Sequence, residues 1–303
     1  MNIEHLKLFL RLSVTKNISQ AGADFGLSPA VAGAHITRLE ESLGVRLVHR
    51  TTRMVSLTED GVAFLPYADD VVARVEAARG AVNANDYVPQ GNLRVTAPAS
   101  FGTMHLMKGL QGFQERYGNL RVDFRFSDAI VDMVEGGYDI AIRNATLQDS
   151  TLIARRLAPD QRIVCAAPSY LKRAGCPTHP SELAKHQCIN LYGLEQWQFK
   201  IGMGKESVKT SGLFTSDNGI AVRDACASGA GIALTSTWCS YELIQSGDLV
   251  VILKDFPVAS DAAIWAVYPT ARLVPPKVRA FIAYFSEFFG EQPYWDASLF
   301  AHL

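Results

Sequence analysis

The stretch GLSPAVAGAHITRLE, residues 26–40, decides how the first part of the chain folds. Ser28 is a favourable N-cap, and Pro29 suits the first helical position because its missing N–H would be unpaired there in any case. A helix therefore begins at Pro29. Gly33 is unusual inside it, because glycine costs about 1 kcal/mol relative to alanine in a helix. With Ala34 beside it, this helix has a face almost bare of side chains.

Two shorter helices are predicted before this one. Residues 3–12 carry apolar side chains at helical spacing, Ser19 suits the N-cap of a second helix, and Gly26 suits its end. In the third helix the apolar residues from Ala32 to Leu43 form the stripe expected to be buried. The opposite, outward face consists of Ala30, Gly33, Ala34, Thr37 and Arg38.

Two short helices joined by a turn of about three residues form a helix-turn-helix, whose second helix enters the major groove of DNA. Small side chains allow such a helix to approach the base edges. The same residues also suit close packing between helices, and this helix alone leaves both interpretations open.

Residues 46–61, RLVHRTTRMVSLTEDG, predict a strand, a turn and a second strand. Basic and hydroxyl side chains cluster at the turn, where they suit phosphate contacts. The first 58 residues are therefore predicted to form a winged helix-turn-helix. Their net charge of +3, against −4 for the remainder, also favours nucleic acid as their partner. The predicted DNA-binding residues are Ser19, Ser28, Pro29, Ala30, Gly33, Ala34, His35, Thr37, Arg38, Arg50, Thr51, Thr52 and Arg53.

A long helix is predicted from Thr58 to about Asn85, with Pro66 bending it near its start. Apolar residues recur along it at spacings of three and four, as in a two-stranded coiled coil. Because this stripe has no evident partner in its own domain, we expect it to join two subunits; packing on the C-terminal domain is the alternative. The predicted seam consists of Leu65, Ala68, Val72, Val75 and Val82.

The rest of the chain has the pattern of an α/β protein. After Pro89 and Gly91, apolar strands alternate with helical stretches, which predicts a parallel sheet with helices. RIVCAAPSYLKRAG then repeats the order of LRVTAPASFG, which indicates a second lobe and a cleft between two lobes. The predicted divisions are 1–58 (DNA-binding), 59–88 (linker helix) and 89–303, with lobe I at about 91–161 and 269–303 and lobe II at about 162–268.

The order of residues resembles that of LysR-type transcriptional regulators over nearly the whole chain, up to about residue 290. The matching run in the N-terminal part is Leu39, Glu40, Leu43, Gly44, Leu47, Arg50, Thr51, Arg53, Leu57, Thr58 and Gly61. Similar C-terminal segments are APASFG, DMVEGGYDIAIR, LIARRLA, APSYL and the GIAL that ends at Leu234. Where the family often has a basic residue this chain has Ala34, which shifts the expected DNA contacts to His35, Thr37 and Arg38.

The resemblance implies a two-lobed effector domain like a periplasmic-binding protein, a homodimer or homotetramer on an interrupted palindrome in double-stranded DNA, and RNA polymerase as a further partner. It also implies a small effector in the cleft. Residues that follow predicted strands are expected to line this cleft, because strand ends converge on the crevice of an open α/β sheet. These are Ser100, Phe101, Ser127, Asp128, Arg143 and Asn144, and the candidates across the cleft are Trp197, Ser216 and Asn218.

Arg143 and the amides at helix starts suggest that the effector is an organic anion. An ion pair between Arg143 and Asp128 is the alternative role for this arginine.

Several other classes of protein are disfavoured. The first residues are unlike a signal peptide and no long apolar run is present, so we expect a cytoplasmic protein with no membrane partner. Neither the five cysteines nor the seven histidines have metal-ligand spacing, so no metal and no other cofactor is expected. No catalytic motif appears, and the glycines of GAGIAL precede a strand, so we expect no enzyme.

Two alternatives to a ligand-controlled regulator remain. One is a thiol-based redox sensor on the same fold that uses Cys226 and Cys239, although buried, inert thiols are the more ordinary interpretation. The other is a small-molecule-binding protein without DNA activity, which would have no use for a basic wing beside a recognition helix.

Overall fold

The structure, a computed structural model, describes residues 1–50, 55–82, 88–129, 133, 136–145, 152–269 and 274–300. By the proximity of Cα atoms the chain divides into two compact units, residues 1–87 with 271–276 and residues 88–270 with 277–303. None of the described helices is both long enough and apolar enough to span a membrane.

The first unit is a winged helix-turn-helix followed by a long helix. Its elements are α1 Ile3–Thr15, α2 Ile18–Ala23, α3 Pro29–Leu43, β1 Val48–Arg50, β2 Val55–Leu57 and α4 Glu59–Val82. Strands β1 and β2 pair antiparallel, as predicted for the wing. Helix α3 begins at Pro29, and the Ser28 hydroxyl accepts from the third residue of the helix. The cap of α2 is Asn17, whose side chain accepts two backbone N–H groups, so the prediction that Ser19 is this cap was wrong.

Close packing between α2 and α3 explains one of the small residues. Ala32, Ile36 and Leu39 are completely buried, which confirms the predicted stripe. A Cβ atom added at Gly22 would lie 2.9 Å from the Cβ of Ala32, so a larger side chain at either position would push the two helices apart. The close packing of α2 against α3 therefore explains why residue 32 is as small as alanine.

A buried carboxylate joins the wing to α3. Glu40 is 5% exposed, and its Oε1 accepts hydrogen bonds from the backbone N–H groups of Leu47 (2.8 Å) and Val48 (3.1 Å). Because buried backbone donors need acceptors, this one side chain determines where the first wing strand begins. The Thr58 hydroxyl then accepts from Gly61 N (2.9 Å) and caps α4.

Helix α4 packs against its own domain. Ala68 is completely buried in the core that α1 and α3 form, and Leu65 and Val72 pack against this core. The expectation that the predicted seam has no partner in its own domain was therefore wrong for these three residues. On the flank of α4 beside this buried stripe, Tyr67 (69%) and Val71 (36%) are exposed instead.

The structure describes the side chain of only one of the two remaining residues of the predicted seam. Val75 is half-buried, and the side chain of Val82 lies outside the described residues. Pro66 lies inside the helix, and the last residues of the predicted helix, 83–85, are also outside the described part.

The second unit contains two lobes, each with a five-stranded mixed sheet. Lobe I contains β3 Gly91–Ala97, α5 Ala99–Phe101, a π-helical turn Gly102–Leu106, α6 Met107–Arg116, β4 Leu120–Phe126, β5 Ile140–Ala145, β6 Leu152–Pro159, β14 Ala263–Pro269, α10 Pro276–Phe289 and α11 Tyr294–Phe300. Lobe II contains β7 Arg162–Ala166, α7 Pro168–Ala174, a 3-10 helix Pro180–Lys185, β8 Cys188–Leu191, β9 Gln196–Ile201, β10 Gly204–Lys209, β11 Thr215–Ser216, α8 Gly219–Ala227, β12 Ile232–Ser236, α9 Thr237–Gln245 and β13 Val250–Ile252.

The sheets are mixed where the sequence predicted parallel ones. Strand order is β4-β3-β5-β14-β6 in lobe I and β11-β8-β12-β7-β13 in lobe II. The strands β4, β3 and β5 are parallel, whereas β14 is antiparallel to both its neighbours. A strand that returns from the other lobe enters its sheet from the opposite end, which explains its direction. Because β14 belongs to the lobe I sheet, that lobe resumes at residue 263 instead of 269.

Two further features of this unit were not anticipated. The hairpin of β9 and β10 contributes Trp197 and Phe199 to the core of lobe II. In lobe I the ring of Phe126 lies against Gly102, where an added Cβ atom would be 2.4 Å from ring atoms. The helical stretch predicted at AIVDMVEGG falls mostly outside the described residues.

Candidate functional site

The outward face of α3 is the first candidate site. Ala30, Ala34 and Arg38 are exposed, as are Ser28 and Pro29 at the start of the helix. This face therefore combines small side chains with a guanidinium group.

Two residues of the same helix and one of α2 complete this surface. Gly33 and Thr37 are half-buried, and the Thr37 hydroxyl donates to the Gly33 carbonyl oxygen (3.1 Å). Ser19 is exposed on α2.

His35 lies against α1 and does not share this exposed face. It is half-buried, and its ring centroid is 4.5 Å from that of His5. Burial, His35 and Arg38 together lower the pKa of His5. We therefore assign His35 to the packing between α1 and α3 instead of to base contacts.

The wing carries the remaining predicted DNA contacts. Arg50 is the last residue of β1 and pairs with Val55, but its side chain and residues 51–53, which are Thr51, Thr52 and Arg53, lie outside the described part of the chain. Arg46, just before the wing, is exposed and was not singled out from the sequence.

The second candidate site is a cleft of about 220 Å³ between the two lobes of the second unit. It is lined by Pro98, Ser100, Asp128, Asn144, Arg162, Leu191, Leu194, Asp217, Gly219, Val222, Leu234, Thr235, Ser236, Trp238 and Cys239. Apolar walls with a few polar groups are typical of a small-molecule site.

Three predicted residues, Ser100, Asp128 and Asn144, line this cleft. A fourth, Asn218, joins the lobes by donating from Nδ2 to Asp128 Oδ2 (2.9 Å). The other oxygen of Asp128 accepts from Ala99 N (3.0 Å), so this carboxylate occupies the start of the helix after β3.

Arg143, the predicted anion anchor, is not in the cleft. Neighbouring residues of a strand point to opposite faces, and Asn144 faces the cleft. Arg143 shares the other face of β5 with Ala141, its Nη1 donates to the carbonyl oxygen of Ile142 (3.2 Å), and burial lowers its pKa. It makes no described ion pair with Asp128, so both roles expected of it from the sequence were wrong.

Four other predicted residues have structural roles. Phe101 and Trp197 are core residues, 0% and 2% exposed, and neither lines the cleft. The hydroxyls of Ser127 and Ser216 accept from the backbone N–H groups two residues further on, at 3.2 and 3.1 Å, and stabilise local turns.

A polar chain connects the lobes beneath the cleft. Arg162 Nε lies 2.7 Å from Asp160 Oδ2 in a largely buried ion pair. In the amide orientation that satisfies both its ends, Asn144 donates to the same oxygen (2.7 Å) and accepts from Trp238 Nε1 (3.2 Å). Sequence reasoning missed Asp160, Arg162 and Trp238, although the first two lie where the chain crosses between lobes.

A second buried carboxylate lies near this chain. Asp296 on α11 is 1% exposed, and burial raises its pKa to about 6, with a smaller contribution from Asp160. Neither of its oxygens has a hydrogen bond of good geometry to a described residue, although the Thr237 hydroxyl is close enough to moderate the shift.

The cysteines are mostly inaccessible. Cys176 is exposed, whereas the others, Cys165, Cys188, Cys226 and Cys239, are buried. Burial raises the pKa of Cys239, which lines the cleft, to about 11 and that of Cys188 to about 12. These two thiols are therefore protonated at neutral pH and poorly nucleophilic.

Both units match known families. A model described as "Bacterial regulatory helix-turn-helix protein, lysR family" matches residues 3–62, and one described as "LysR substrate binding domain" matches residues 88–290. The chain is 31% identical over 293 residues to the HTH-type transcriptional regulator DmlR of Escherichia coli K12, covering 95% of each.

Solved structures agree. The structure of CrgA, a LysR-type transcriptional regulator from Neisseria meningitidis, is 31% identical with a TM-score of 0.61, covering 95% of this chain and 98% of that one. Full-length AphB of Vibrio cholerae is 27% identical with a TM-score of 0.58, covering 95% and 99%.

Proposed function

The chain belongs to the LysR family of transcriptional regulators, and from this premise we propose that it binds its operator as a homo-oligomer under the control of a small molecule in the interlobe cleft. Relatives of the chain are named as transcriptional regulators, which supports a DNA-binding role without catalysis. A protein that acts on chromosomal DNA works in the cytoplasm, and RNA polymerase is its natural partner at a promoter.

The observation that carries the DNA-binding proposal is the division of α3 into two faces. Ala32 and Ile36 are completely buried, while Ala30 and Ala34 are exposed beside Arg38. Packing explains why Ala32 is small but leaves the exposed alanines unexplained. Close approach of the helix backbone to base edges explains them.

Gly33→Leu tests this proposal. Leucine is the better helix former, so the fold is expected to keep its stability while operator binding is lost. Ala174→Leu, at an exposed helical position of the other unit, is the control and should bind DNA normally. Loss of stability in Gly33→Leu, measured by thermal unfolding, would instead assign this position to packing.

A second experiment concerns the wing. Replacing both Arg50 and Arg53 with alanine should weaken binding to specific and random duplexes alike, because phosphate contacts carry no sequence information. The slope of log K against log salt should flatten by about two phosphate contacts. An unchanged slope would exclude these side chains from the interface.

The proposed oligomer uses the exposed side of α4. Tyr67 and Val71 lie on this side, whereas Leu65, Ala68 and Val72 are occupied by the domain's own core. A second copy of the chain is the natural occupant, because a palindromic operator requires two recognition helices on one face of the DNA.

Control by a ligand is proposed from the cleft itself. Gly219 lines it, and a Cβ atom there would meet only Ser100 Oγ at 3.6 Å and Cys239 Sγ at 3.9 Å, so Gly219→Phe should fill the cleft without breaking the backbone. This variant should bind the operator but lose every ligand response. Gly204→Phe, at the first residue of β10, where an added Cβ atom would make no more than an ordinary van der Waals contact, is the matched control.

Thiol-based sensing is the second candidate on the same fold. Cys239 lines the cleft, but burial raises its pKa, and Cys226 is completely buried. Oxidant sensing requires an accessible thiolate, so the structure favours control by a ligand.

A further inference from the structure

The helix starts that border the cleft already have acceptors supplied by the chain itself. An organic anion would be expected to bind such amides, because they carry unpaired N–H groups and partial positive charge. The occupied pairs are Ala99 N to Asp128 Oδ1 (3.0 Å), Ile220 N to Ser100 Oγ (3.4 Å), Ala221 N to Asn218 Oδ1 (3.1 Å) and Thr237 N to the Gln161 carbonyl oxygen (2.9 Å). The chain itself therefore supplies an acceptor to at least one amide at each of these helix starts.

The cation among the described lining residues is Arg162, and its charge is balanced by that of a buried carboxylate. Its Nε is 2.7 Å from Asp160 Oδ2, and the Asp160 side chain is completely buried. The two charges balance each other, so Arg162 adds no net positive charge to the cleft.

The charge that remains at the surface of the cleft is negative. Asp128 and Asp217 both line it, and neither has an ion-pair partner among the residues that the structure describes. Each oxygen of Asp128 accepts one hydrogen bond, and a carboxylate oxygen has room for a second. Two carboxylates repel a ligand carboxylate and attract an ammonium group.

An apolar wall completes the cleft. Leu191, Leu194 and Leu234 line it on the side of lobe II. Because carboxylates and an apolar wall border one small cavity, a ligand that satisfies both has a cationic group and a hydrocarbon part.

We infer that the effector is an organic amine whose ammonium group lies between Asp128 and Asp217 and whose hydrocarbon part contacts the three leucines. This inference rests on the proposed function of the cleft and names the class of its ligand. It replaces the anion expected from the sequence, because the arginine on which that expectation depended faces away.

Pairs of ligands with the same hydrocarbon skeleton and opposite charge test whether the cleft prefers a cation. The full chain is titrated calorimetrically with benzylamine and n-hexylamine, with benzoate and hexanoate, and with benzyl alcohol and 1-hexanol, at a pH of about 7.5 where the amines are cationic and the acids ionised. We expect each amine to bind at least about tenfold more tightly than the acid of the same skeleton, with the alcohol between them.

Substitutions of single carboxylates test which residue contacts the ammonium group. Asp217→Asn should weaken amine binding about threefold to fivefold, because it removes the charge of one carboxylate whose interaction is partly screened by solvent. Asp217 has no described side-chain hydrogen bond, so this change leaves the fold intact. Asp255→Asn, an exposed carboxylate of lobe II outside the cleft, is the control and should not change the affinity.

The outcomes separate the ligand class from the proposed function. Tighter binding of the acids, no amine binding at millimolar concentration, or full amine affinity in Asp217→Asn would each overturn the amine assignment. If acids bind in the cleft and alter operator binding, ligand control stands and only the class is wrong. If amines bind as expected but operator binding does not respond, the class stands and the effector role is wrong.

Discussion

Replacing Glu40 with alanine should loosen the wing while leaving the second unit unchanged. The carboxylate is 5% exposed and accepts two backbone hydrogen bonds, at 2.8 and 3.1 Å. A hydrogen bond to a charged group contributes about 1.5 to 3 kcal/mol, and the two N–H groups would remain buried without acceptors. Allowing for relaxation, we expect a loss of about 3 kcal/mol, roughly a hundredfold in the local folding equilibrium.

Hydrogen exchange followed by mass spectrometry on the full chain measures this loss directly. Peptides that contain Leu47 and Val48 should lose protection, whereas peptides from the β9–β10 hairpin provide an internal reference. Glu41→Ala is the matched control, because Glu41 is the exposed neighbour and should change stability by less than about 0.5 kcal/mol. Equal loss of protection in both variants would refute the role assigned to Glu40. Operator affinity should fall in Glu40→Ala only.

Three further results are expected. The double variant Tyr67→Glu with Val71→Glu should give folded monomers by light scattering, and folded dimers of this variant would exclude this seam. Val72→Glu should in addition lower the unfolding temperature of the first unit. Because the folded pKa of Asp296, about 6, lies above its unfolded value, its contribution to stability is present below a pH of about 4 and is lost as the pH rises through 6. The free energy of unfolding of Asp296→Asn should therefore rise relative to that of the wild type over that range, by up to about 3 kcal/mol in denaturant titrations. A difference that does not change with pH would contradict the assignment. An exposed-thiol reagent should label Cys176 rapidly and the remaining cysteines only after unfolding, and fast labelling of a second thiol would contradict their burial.

Local signals in the sequence were sufficient for the first unit. Ser28 and Pro29 define where α3 begins, and the stripe from Ala32 to Leu39 identifies its buried face, because capping and helical periodicity act over a few residues. The periodicity of α4 identified a buried stripe equally well. It did not identify what buries the stripe, and α1 proved to cover the part around Ala68.

The cleft depended on information that is not local. Arg143 and Asn144 are neighbours, and only the pairing of β5 decides which of them faces the cleft. Trp197 belongs to a hairpin that the sequence pattern did not predict. Asp217 lies in a loop, where no periodic pattern distinguishes it. Its role in the cleft follows only from the ion pair that Asp160 and Arg162 form with each other in the folded chain.

The contact between Gly102 and Phe126 limits the order in which this lobe can change during evolution. An added methyl group at position 102 would lie 2.4 Å from the ring, so Gly102→Ala is tolerated only after Phe126 has become a smaller residue. The reverse order leaves a cavity, which costs stability but does not obstruct folding. Lineages that carry a side chain at position 102 should therefore descend from ancestors that had already lost the ring at position 126.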